Sequence, residues 1–222
     1  MSRTFGPRRA VWIDIEQADA DIAPAGALER LTRIDLIYRS LVAIQFNFSQ
    51  SGHPGGSVSA GHIMTGALFG TMQYDLGDPL RHDQDLLSFA AGHKATGLYA
   101  MWALRDEMAR ISAPELLPAE DRLRLRWEDL LGFRRNPTHP GPLFRRFRSK
   151  PLDGHPTPMT PFVRIATGPS GVGMGSSIGL AFAAADYFGA DAPRVHMLEG
   201  EGGLTPGRVY ESVAAAGSCG LH

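Results

Sequence analysis

An acid set among glycines at the end of an apolar run is the first place where this sequence offers chemistry. The stretch GEGGLTPG, Gly200 to Gly207, follows the apolar VHML. Open α/β sheets place their ligands at the carboxyl ends of strands. The residues alone leave Glu201 with two readings. It is a ligand for a hard cation such as Mg2+ or Ca2+, which would in turn hold phosphates, or it is an exposed turn acid. A second glycine-rich stretch, TGPSGVGMG, runs from Thr167 to Gly175. It joins a short strand to a helix, so its amides stand where helix N-termini bind anions. Its spacing is not G-x-G-x-x-G with an acid about twenty residues on, which gives a nicotinamide dinucleotide little support. No G-K-[ST] follows that would mark a nucleoside triphosphate loop. The plainer reading is glycines that let a helix pack on a sheet.

Three histidines share a setting: His53 in SGHPGG, His93 in AGHKA and His155 in DGHPTP. Each is flanked by glycine, and two are followed by proline. A histidine fixed in a rigid turn can donate to a phosphate or move a proton near neutral pH. Taken singly, each is better read as structural; three in matched settings carry more weight. No pair has the helical i, i+4 spacing of a zinc site, and Cys219 is the single cysteine. Cys219 reads as an apolar filler rather than a nucleophile. The basic run FRRFRSK, Phe144 to Lys150, reads as a solvated surface or as a phosphate-attracting lip.

The elements that must position these groups follow from periodicity and punctuation. The chain has 222 residues, 43% of them hydrophobic, with 22 basic and 23 acidic side chains. That is the profile of one large globular domain without the basic excess of a nucleic-acid binder. No apolar run reaches the ~18 residues of a membrane helix, and MSRTFGPRR is not followed by the apolar segment of a secretory signal. A cytoplasmic setting is expected, which a lone cysteine fits. Residues 1–26 read as a polar arm with an acid cluster (Asp14, Glu16, Asp19, Asp21). Helical spacing predicts helices over 27–48, 59–74, 94–110, 118–133, 173–188 and 206–216. Short strands are predicted at 85–91, 163–166 and 194–198. Strand, glycine turn and helix in repetition mean an α/β domain over 27–222, with an open, mostly parallel sheet flanked by helices.

Five motifs in order then fix a resemblance. SGHPGG, AGHKATGLYA, DGHPTP, ATGPSGVGMGSSIGLAFAAA and LEGEGGLTPGRVYES together resemble the N-terminal, thiamine-diphosphate-binding part of the transketolase family over about residues 27–222. The resemblance implies the thiamine diphosphate-binding fold. It implies a coenzyme held between this domain and a pyrimidine-binding domain of another subunit, and transfer of a two-carbon ketol unit between sugar phosphates. By position it gives His53 and His155 contacts to substrate, and His93 a contact to the coenzyme diphosphate. Gly168, Pro169 and Ser170 would line the coenzyme. Gly200, Glu201 and Gly202 match a G-D-G signature whose acid binds the metal, Mg2+, and whose second glycine binds diphosphate through its amide. Glu211 matches an interface acid that links two active sites.

The departures matter as much. Glutamate at 201 is one methylene longer than the family's aspartate, and Mg2+ demands near-ideal octahedral geometry, so Ca2+ or Mn2+ are alternative occupants. Pro206 stands in place of an interface glutamate, and Ser170 in place of a leucine. The family continues past GLH with a strand and an asparagine that completes the metal site. A sheet without that strand would leave backbone unpaired. The expectation is therefore a C-terminally incomplete domain, either truncated or a split subunit. It would work only with a complementary chain carrying the strand and the pyrimidine domain, in a homo- or hetero-oligomer, and would be silent alone. Two other readings stay open. One is a different thiamine diphosphate enzyme, a deoxyxylulose phosphate synthase or a 2-oxoacid decarboxylating component. The other is a non-catalytic regulatory partner with a degenerate metal site.

Overall fold

The structure is a computed structural model, and it describes residues 26–135, 138 and 141–221. The arm expected over residues 1–26 lies outside them except for Gly26.

Helix α1 (Ala27–Ser49) has the predicted extent and buries Ile34, Tyr38, Leu41, Val42 and Gln45 along one face. Gln50, in the left-handed region at φ 50°, closes it. The next helix begins five residues before the predicted start. Proline at the first helical position presets φ and has no amide to waste, so HPGG opens α2 (Pro54–Ser59) directly after His53. α3 (Gly61–Gly66) follows after Ala60 and widens into a π-turn over Ala67–Thr71. The segment predicted as one helix is thus two short helices and a wide turn.

Strand β1 (Leu86–Phe89) leads through a 3-10 turn, Gly92–Lys94, into α4 (Ala95–Ser112). α4 is the central helix, buried without interruption from Ala95 to Leu104. It packs against α1, and the core cluster spreads from this contact to Met64, Leu68 and Phe89.

The helix expected over 118–133 does not form. Two 3-10 turns, Asp121–Leu123 and Trp127–Gly132, take its place, with extended backbone between them. In RLRLRW the leucines alternate with arginines, a period of two. Leu125 turns into the core, while Arg124 makes a two-pronged ion pair with buried Asp106 at 3.0 and 3.2 Å. Asp129, fully buried, draws the chain in further. It accepts from the Arg126 amide at 2.9 Å, the Arg126 guanidinium at 2.8 Å and the Lys150 amide at 2.9 Å. α5 (Pro142–Phe147) carries most of the basic run.

The strand expected over 163–166 is also absent. Phe162 adopts a left-handed conformation, φ 66°, which breaks extended backbone just before it. The Phe162 ring stacks on Trp102 at 4.0 Å, and that contact holds the unusual conformation. Helix α6 (Val172–Phe188), strand β2 (Val195–Leu198) and helix α7 (Gly207–Ser218) complete the described chain. β1 and β2 pair in parallel, Leu86 opposite Val195 through Phe89 opposite Leu198. Both strands therefore end at the same edge, as the α/β reading requires. α6 lies over both strands and against α7. It buries Gly173, Ser177 and Ile178, while Tyr187, Tyr210 and Val213 on α6 and α7 stay exposed. No helix among the described residues is long and apolar enough to cross a membrane.

Candidate active site

The three histidines converge. His53 occupies the N-cap position of α2, and its place is set by a buried node one turn on. The Ser57 hydroxyl bonds the Lys94 carbonyl at 3.1 Å and the Thr96 hydroxyl at 2.8 Å, and accepts the Gly97 amide at 3.1 Å. The Tyr38 hydroxyl donates to the Ser57 carbonyl at 2.7 Å. This node ties α2 to the β1–α4 corner. The result is edge-to-face contact between His53 and His93, with ring centroids 5.3 Å apart.

His155 arrives from the other side. The Tyr99 hydroxyl bonds the Asp153 carbonyl at 2.9 Å and the His155 carbonyl at 3.4 Å, which fixes that loop to α4. The His155 ring lies over Gly168, 3.3 Å from where a Cβ would stand. Gly168 has φ 153°. Burial, then the charges of His53 and Lys94, hold His93 below its ordinary pKa; Glu199 opposes this, and His155 adds to it. His93 is therefore a neutral imidazole at neutral pH, free to donate a hydrogen bond from one ring nitrogen.

The glycines of both corners are there because backbone meets backbone. A Cβ on Gly92 would stand 2.7 Å from the Gly168 amide nitrogen and 2.8 Å from the Thr167 carbonyl carbon. Gly171, at φ 76°, would strike Val209 and Pro206. The N-terminal ends of α6 and α7 are thus held side by side at the carboxyl edge of the sheet. Their free amides face the region where anions are favoured.

Of the predicted site residues, the structure places His53, His93, His155, Gly168 and Gly200 around this corner. Pro169 and Ser170 lie exposed beside Gly168, and Gly202 is exposed in the 3-10 turn after β2. Glu201, in the same turn, is exposed and makes no hydrogen bond or ion pair among the described residues. Glu211 stands exposed on α7 and is likewise unpaired among them. Cys219 is half-buried beyond the α7 terminus.

Three groups escaped sequence reasoning. Lys94, beside His93, is buried at 9% exposure. Glu199 folds its carboxylate back over Gly203, one oxygen accepting the Gly200 amide at 2.8 Å and the other buried without a partner. The Thr167 hydroxyl is also buried without a partner. The adjacency of Lys94 to His93 and of Glu199 to Gly200 was the available signal. Two surface clefts of about 340 and 410 Å3 open around Tyr74 and Arg105, and none of these groups lines them.

A diphosphate coenzyme fits what is present. The orphaned Thr167 hydroxyl, a buried ammonium, a neutral imidazole and glycines that let backbone come close all meet at one edge. A divalent metal fits less well. No group of three histidine, cysteine or carboxylate side chains that could hold one occurs among the described residues.

Known proteins resemble the chain in sequence and in fold. No family model matches the chain. Human transketolase is 36% identical over 166 residues, covering 75% of this chain and 22% of the relative. Transketolase from Campylobacter jejuni superposes with a TM-score of 0.65 at 28% identity, over 85% of this chain and 26% of that one. Transketolase from Pichia stipitis, solved in complex with sedoheptulose 7-phosphate, superposes with a TM-score of 0.62 at 26% identity, over 84% of this chain and 25% of that one. The chain thus spans about a fifth of the length of the curated relatives it matches.

Proposed function

The chain belongs to the transketolase family, as a counterpart of its N-terminal part, and on that premise we propose that it forms the diphosphate-binding half of a cytoplasmic, transketolase-like transferase. Its coenzyme is thiamine diphosphate. The observation that carries this reading is the meeting of His53, His93 and His155 at the edge where β1 and β2 both end, beside the N-termini of α6 and α7.

When bound, thiamine diphosphate supplies the carbanion chemistry by which a two-carbon ketol unit leaves one sugar phosphate and joins another. The residues of this chain do the rest. The corner amides and His93 hold the diphosphate. His53 and His155, both exposed at the rim, receive the substrate's hydroxyls and can take part in proton transfer there. For a divalent cation, whether Mg2+, Ca2+ or Mn2+, the turn after β2 offers Glu201 with Glu199 beside it. No step in this reading depends on that cation.

The catalytic site is completed by the pyrimidine-binding half, which we place on a complementary chain joined to this one in a dimeric or larger assembly. The exposed Tyr187, Tyr210 and Val213 on α6 and α7 support a covered face there, and Glu211 lies on the same helix as the last two. The test is co-expression of this chain with such a half, followed by assay with a ketose phosphate and an aldose phosphate. Ketol transfer by the assembly, lost on His53→Ala or His155→Ala, is expected. Turnover of pyruvate instead would assign the chain to a different thiamine diphosphate reaction. No turnover, with no coenzyme bound in any assembly, would contradict the reading.

A further inference from the structure

A buried ammonium stands at the corner. Lys94 lies at the turn between β1 and α4, and its stem runs along Gly56. A Cβ on Gly56 would stand 2.8 Å from Lys94 Cε, so the glycine makes room for it. The ammonium reaches the end of β2, where Nζ is 3.4 Å from the Glu199 carbonyl oxygen and 3.4 Å from where a Gly200 Cβ would stand. That long bond to a carbonyl is its one hydrogen bond among the described residues, and it has no ion pair among them. An ammonium has three protons to donate, and a buried one without a counter-ion is costly. The Glu199 carboxylate, the nearest acid in the chain, is turned onto the Gly200 amide and Gly203 rather than onto Lys94. Glu201, the one acid the sequence offered for a metal, points to solvent.

We propose that Lys94 is the corner's own cation for the coenzyme diphosphate, so that a divalent metal is dispensable for coenzyme binding. This rests on the thiamine diphosphate reading above and adds to it the identity of the charge that neutralises the tail. The Lys94 ammonium stands at the end of β2, beside Gly200. A charge-assisted bond from a desolvated ammonium to a phosphate oxygen is among the stronger polar contacts a protein makes.

Calorimetric titration of the full chain with thiamine diphosphate, and with inorganic pyrophosphate as the minimal probe, tests this in EDTA and in Mg2+. The affinity of the unaltered chain should change less than about threefold between the two conditions. Lys94→Met, which keeps the stem and removes the charge, should weaken both ligands about tenfold or more in EDTA, the size of one charge-assisted hydrogen bond. Lys94→Arg should retain most of the affinity. Binding that requires Mg2+ in the unaltered chain would overturn the proposal and leave the coenzyme reading standing. Equal binding by Lys94→Met and the unaltered chain in EDTA would overturn it too. No binding of either ligand under any condition would overturn the coenzyme reading and the proposal together. The EDTA comparison uses the unaltered chain, so it decides even if a variant fails to fold.

Discussion

Two identical substitutions in one helix should act in opposite directions. Gly173 and Gly179 both lie in α6, six residues apart. Gly179 has open space where a Cβ would go, and its helical backbone suits alanine. Gly179→Ala should therefore recover most of the helix penalty of glycine, roughly 0.5–1 kcal/mol. Gly173 sits one residue into α6, where the helix meets the end of β1. A Cβ there would collide with the Ala90 Cα and stand 2.7 Å from the Ala90 carbonyl oxygen. Comfortable carbon contacts begin near ~3.5 Å, so the helix must lift by about 1 Å, and no rotamer change can relieve a clash with backbone. Overpacking of this kind costs about 1–3 kcal/mol, and the propensity gain at a first-turn position is small against it. The two variants should thus differ by about 1.5–4 kcal/mol. For a chain of 222 residues, with ~2–4 °C per kcal/mol, that separates their melting temperatures by roughly 3–16 °C. Urea and thermal unfolding of the full chain read it directly. Equal stabilities within ~0.5 kcal/mol would mean that α6 does not dock on the β1 corner, and the anion-binding edge would lose its geometric basis.

Asp129→Ala should be among the most damaging single changes. It strands the Arg126 guanidinium and leaves the amides of Arg126 and Lys150 without their acceptor, a loss of about 3–5 kcal/mol measurable by urea denaturation. His93 should titrate below its ordinary value of ~6.5, seen as a low midpoint for its ring protons by NMR. Because the folded state resists that proton and the unfolded state does not, its contribution to stability is full above ~pH 6.5. It is lost as the pH falls from there toward the lowered folded value. His93→Gln should flatten that part of the pH profile; an unchanged profile would remove His93 as its cause.

Much of the site was legible because its chemistry is written in turns. Histidine next to glycine, and glycine at a strand end, are local patterns that survive without tertiary knowledge. α1, α4 and β2 were legible for a similar reason, since their apolar spacing is regular. What escaped depends on contacts distant in sequence. Lys94 reads as an ordinary surface lysine until Gly56 and Glu199, 38 and 105 residues away, close over it. The segment after Pro118 carries leucines at a spacing that fits either a helix or an extended run. Only the pull of Asp106 and Asp129 on the arginines decides between them. Phe162 ends the expected strand through a stacking partner, Trp102, that no local pattern announces.

The account stands on one claim, that this edge of the fold grips a diphosphate tail. Calorimetry of the full chain with thiamine diphosphate against thiamine is the most direct measurement of it. The account predicts saturable binding of thiamine diphosphate and binding of thiamine at least about a hundredfold weaker, the worth of two charge-assisted contacts. Equal affinity for the two, or no binding of thiamine diphosphate at all, would contradict it.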